Sequence, residues 1–201
     1  MPTKNNLIYQ KIGAAAGIAS PIVALTCVLV AVASYSPFSW TNNALSDLGV
    51  VSGATATVFN LGLASGGVLS FVFSMLGLSV FLGRNAAGKI GSALFAAANI
   101  ALVGIGVFNE SYSGTHFAFS VAFFVLSPIA LFILTVAFGV ARQKIAAVCT
   151  VLTACASALP WILLYGLRYV PNVAVPEFAS GLAVSAWTIG LSVRILKPAA
   201  E

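Results

Sequence analysis

Long apolar runs alternate with short polar connections along the whole chain, at a period too long for strands and too regular for loops. A helix needs roughly 20 mostly apolar residues to cross a bilayer, and six runs meet that length: about 13–35, 57–83, 90–108, 115–141, 145–167 and 178–196. The pattern predicts an all-α integral membrane bundle of six transmembrane helices forming one domain over residues 1–201. Residues 1–12 carry Lys4 and Lys11 ahead of the first run, and Ala31-Val32-Ala33 imitates a signal-peptide cleavage site. That run exceeds the roughly 7–15 residues of a signal core, so it is read as a retained span. Pro21, Pro128 and Pro160 interrupt spans, where a bundle can re-satisfy the freed carbonyls; a kink is expected at Pro128.

The connections are as informative as the runs. Between the first two spans, Asn42 or Asn43 is placed to cap a one-turn helix that Gly49 terminates. Gly62-x-x-x-Gly66 in the second span permits close helix approach, inside the chain or between copies, and leaves oligomerisation open. The stretch Asn109-Glu110-Ser111-Tyr112-Ser113-Gly114-Thr115-His116 holds the only histidine and one of four carboxylates.

Charge then orients the bundle. Lys4, Lys11, Arg84, Lys89, Arg142, Lys144, Arg194 and Lys197 fall on one face of a six-span chain, and only Arg168 falls on the other. The positive-inside bias places both termini in the cytoplasm of a cell-membrane protein, which requires an even number of spans. Asp47, Glu110 and Glu177, with His116, collect on the opposite, outer face.

Composition agrees: 60% hydrophobic and 6% charged residues, with a mean hydropathy of +1.06, against about 25% charged in an average soluble domain. The net charge of +5 forms no basic patch, so nucleic acid is not a partner. Cys27, Cys149 and Cys155 lie in apolar runs, are odd in number and form no CxxC, and read as small apolar core residues.

The candidate chemistry lies in the outer connections. A carboxylate near an imidazole can orient a base or a metal-ligating histidine, as Glu110 and His116 would. Asp47 reads either as a turn former or as a ligand, Asn60 as a polar group within the second span, and Arg168 as a partner for Asp47, Glu110 or Glu177 or for a lipid phosphate. Asp47, Glu110, His116 and Glu177 are of metal-ligating type but lack any spacing that would fix them on one face, so no metal is assigned. Ser46, Ser111, Ser113 and Ser120 are available to His116, yet nothing resembles a nucleophile elbow. Apolar span centres, with Asn99 the main exception, and the lack of an internal repeat weigh against a transporter.

Asn43-Ala44-Leu45-Ser46-Asp47-Leu48-Gly49, Phe59-Asn60-Leu61-Gly62, and Gly106-Val107-Phe108-Asn109-Glu110 followed by His116 and a phenylalanine-rich helix with Pro128 resemble the multi-spanning proteins grouped as domain of unknown function 998. The resemblance covers nearly the whole chain and implies an archaeal or bacterial six-helix membrane protein, with Asp47, Asn60, Glu110 and His116 as the positions its motifs pick out. It implies no reaction or cofactor. A more distant likeness is to six-span proteins of the Frag1 and DRAM type, associated with lipid remodelling, at the level of fold. The sequence thus points to an outer polar pocket of Asp47, Asn60, Glu110, His116, Arg168 and Glu177 that binds a lipid headgroup or small polar ligand. The alternatives are a non-catalytic structural or assembly subunit contacting a protein partner, and a membrane-embedded hydrolase or transporter.

Overall fold

The computed structural model describes residues 4–83 and 85–197; Arg84 and Glu201 lie outside them. Among the described residues six helices are long and apolar enough to cross a membrane: α1 (Lys4–Ser34), α2 (Ala54–Leu82), α3 (Ala86–Val107), α4 (Ser113–Val140), α5 (Lys144–Leu167) and α6 (Ala174–Leu196). Each starts or ends within a few residues of its apolar run except α1, which extends back to Lys4 because nothing in Asn5–Ile12 breaks a helix. Each helix packs on its chain neighbours, and α6 returns against α1, so the bundle closes into a ring.

Small residues set how closely the ring closes. A Cβ on Gly62 would collide with the Cys27 Cβ, and one on Gly66 would lie 2.7 Å from the Ala24 Cβ. The Gly62-x-x-x-Gly66 face is therefore used inside the chain, against α1. Cys27 sits half-buried at that contact, while Cys149 and Cys155 are exposed on α5 and so are not core residues.

Two local features concern the helices themselves. Within α2, Phe73–Leu78 winds as a π-helical segment; the apolar periodicity of a span carries no mark of one extra residue per turn. α4 continues as one helix through Pro128, which is buried.

The ring is filled unevenly. Phe73, Phe95 and Trp187 meet edge to face, with centroids 5.4–6.5 Å apart, and the Trp187 indole N–H donates to Thr150 Oγ1 at 2.9 Å, which satisfies the one polar atom of the cluster. This plug belongs to the largest apolar core and closes the half of the ring nearer the chain termini. At the other end, the connections 35–53, 108–112 and 168–173 come together around the three carboxylates, with smaller apolar clusters beneath them.

Candidate functional site

The connection between α1 and α2 forms a buried 3-10 turn, Ser46–Val50, rather than an asparagine-capped helix. Asn43 instead bridges the loop: its Oδ1 accepts from the Ser39 N–H at 2.9 Å and its Nδ2 donates to Asp47 Oδ2 at 2.6 Å. The same Asp47 oxygen accepts the Ala44 N–H at 3.0 Å. Asp47 thus closes its own turn, the role a short carboxylate performs wherever it can reach nearby backbone donors.

Side chains from three other segments converge on this turn. Ser46 Oγ donates to Glu110 Oε1 at 2.6 Å across 64 residues of chain, and the Leu45 N–H donates to Glu177 Oε2 at 2.7 Å across 132. The Gly49 carbonyl accepts from Asn60 Nδ2 at 2.8 Å and from Asn109 Nδ2 at 3.2 Å, using both of its lone pairs. The start of α6 is tied on by the Ala174 N–H to the Asn43 carbonyl, 3.1 Å, and by Asn172 Nδ2 to the Asn42 carbonyl, 2.8 Å. Gly49 does not adopt positive φ. Its glycine leaves space, since a Cβ there would sit 2.6 Å from Asn60 Oδ1 and the Asn60 side chain would have to shift.

His116, in the first turn of α4, is 7% exposed and its Nδ1 lies 2.7 Å from the Phe108 carbonyl. A carbonyl can only accept, so Nδ1 carries the hydrogen and the neutral ring keeps its lone pair on Nε2. Among the described residues, Nε2 has no partner, and neither do Glu110 Oε2 and Glu177 Oε1.

These three residues line a cleft of about 620 Å³ with Ser46, Ser113 and Ser120, floored by Ala44 and Val173 and walled by α4 and α5. Phe124 and Trp161 pack at 4.6 Å between centroids, and Trp161 stacks on Tyr165 at 6.4 Å, so one wall is continuously aromatic. Phe117, Val121, Val125 and Tyr165 form an exposed apolar rim. Below, Ser46, Ser120, Phe124 and Glu177 also border an interior cavity of about 110 Å³, mostly apolar, that reaches Ser70, Asn99 and Thr188 between the helices. Glu177 therefore stands where the two spaces join.

Of the residues expected at a pocket, Glu110, His116 and Glu177 line the cleft. Asp47 and Asn60 are committed to the turn beside it. Arg168 is elsewhere: it is exposed, caps α5 in the left-handed conformation at φ 50°, and has no ion-pair partner among the described residues. No serine hydroxyl bonds His116 among the described residues, and no three of their His, Cys, Asp or Glu side chains group to hold a metal. Trp161 was not legible as a wall residue; its only signal is that it lies one turn before the interfacial Tyr165 on the same helix face.

A family model described as protein of unknown function (DUF998) matches residues 18–194. The chain belongs to that family. No curated protein and no solved structure gives a significant match. The DUF998 region takes in the whole turn, both cavities and all six spans except the ends of α1 and α6.

Substituting Gly49→Ala is expected to destabilise the protein by about 1–3 kcal/mol, the usual cost of overpacking a fitted site. The measurement is the thermal unfolding midpoint in detergent; an unchanged midpoint would mean that Asn60 does not crowd Gly49.

Proposed function

We propose that this DUF998 protein is a multi-pass cell-membrane protein with both termini cytoplasmic, whose outward cleft binds a lipid headgroup or a small polar ligand. The observation that carries the reading is a cleft in which Glu110 Oε2, Glu177 Oε1, His116 Nε2 and the buried Trp161 Nε1 are among the hydrogen-bonding atoms left without protein partners beside an exposed apolar rim. Partly buried polar atoms are normally satisfied by protein, water or ligand. An apolar rim next to them suits a molecule that arrives from the bilayer with its polar end leading. The orientation rests on the eight-to-one distribution of Lys and Arg.

A non-catalytic structural or assembly role is the second reading, and a specific observation favours it: Asp47 Oδ2 and Asn60 Nδ2 both bond within the loop connection rather than facing the cleft. A hydrolase is disfavoured by the engagement of Ser46 Oγ with Glu110 and by the lack of a serine hydroxyl bonded to His116 among the described residues.

Orientation is tested in a chain freed of its three native cysteines. Ser113→Cys, at the cleft rim, should react with a membrane-impermeant maleimide on intact cells, and Gln143→Cys only after permeabilisation; the reverse pattern overturns the topology. Binding is tested by native mass spectrometry of the purified protein. Wild type should retain lipid or small-molecule adducts, and Ser120→Phe, which fills the cleft neck without touching the turn, should lose them. Equal adducts on both proteins would contradict the cleft as the site.

A further inference from the structure

We propose that the cleft recognises a protonated amine, a group carrying N–H donors and a positive charge, and excludes anionic head groups; this rests on the reading of the cleft as a ligand site. The lining contains two carboxylates and neither lysine nor arginine. Arg168, the cation the sequence places nearest, is exposed and outside the lining. A phosphate, sulfate or carboxylate entering here would meet like charge with nothing to neutralise it.

An ammonium group meets the opposite situation. Glu110 Oε2, Glu177 Oε1 and His116 Nε2 have no protein partner, and His116 is more than nine-tenths buried, so the position of its ring is fixed. Its tautomer is held by the Phe108 carbonyl, which keeps Nε2 an acceptor while the ring is neutral. Phe124, Trp161 and Tyr165 line the same space with aromatic rings, the side chains whose π systems attract organic cations. The free acceptors and the absence of a cation among the lining residues select this chemistry, although the lining also holds one buried donor without a partner, the Trp161 indole N–H. An apolar tail on such an amine has room along the exposed rim of Phe117, Val121 and Val125, or past Glu177 into the interior cavity.

The test is isothermal titration of the full chain, purified in an uncharged maltoside detergent, with hexylammonium, hexanoate and hexan-1-ol, matched in tail and differing in charge. Hexylammonium should bind at least about tenfold more tightly than the other two, roughly the worth of one desolvated cation–π contact. Glu110→Gln, which keeps an acceptor for Ser46, and Trp161→Leu, which removes an aromatic face, should each weaken hexylammonium by about tenfold and leave hexan-1-ol unchanged. Unfolding midpoints of both variants check that they fold. Hexanoate or hexan-1-ol binding as tightly as hexylammonium overturns the proposal while leaving the cleft a ligand site. Binding of none of the three overturns both readings. An ethanolammonium arm identifies the source: weaker binding than hexylammonium points to a membrane amphiphile, equal binding to a free amine, and either supports the amine.

Discussion

A buried irregular segment in an otherwise helical membrane bundle has to find hydrogen-bond partners for its own backbone, because neither lipid nor a helical ladder supplies them. In this protein that constraint falls on residues 42–49. Ser46, Leu48 and Gly49 are buried, and the segment's donors and acceptors are met by Asp47, Asn60, Asn109, Asn172, Glu177 and the Ala174 N–H. One turn thereby joins the start of α2, the approach to α4 and the start of α6. Hydrogen bonds to charged acceptors contribute about 1.5–3 kcal/mol each, and an orphaned buried partner costs a similar amount. The polar end of the ring depends on this one turn being complete.

The cleft is a by-product of the same bonds. Glu110 is held through Oε1 by Ser46, and Glu177 through Oε2 by the Leu45 N–H, so each carboxylate is fixed by one oxygen and offers the other. His116 repeats the arrangement with its two ring nitrogens. A site whose groups are each anchored at one atom and open at another is pre-organised, which lowers the entropy that binding must overcome. The Phe73, Phe95 and Trp187 plug closes the opposite half of the ring, so the space that opens from the carboxylate end stops within the bundle.

The six spans could be read from the sequence because membrane helices announce themselves by length and apolarity, and their boundaries fell within a few residues except at Lys4. The gathering of Asp47, Glu110, His116 and Glu177 at one end was also legible, from chain parity alone. Their division of labour was not. Asp47 and Glu110 look alike as acids in polar connections, yet one bonds the backbone three residues away and the other a serine 64 residues away. Only the folded chain decides which partner is within reach. Gly49 shows the same limit: it reads as a helix terminator, but its function is to leave room for Asn60. Arg168 looked like a natural counter-ion and is instead exposed at the C-cap of α5, outside the cleft lining.

Direct mutual stabilisation of the Ser46–Gly49 turn and the α3–α4 connection is what the polar end of the bundle rests on, and a double-mutant cycle on Ser46→Ala and Glu110→Ala, read as unfolding free energy in detergent, measures it. A coupling of about 0.5–3 kcal/mol is expected, the range for residues in direct contact. Additive effects, with the double mutant losing the sum of the two single losses, would show that the two segments do not support one another.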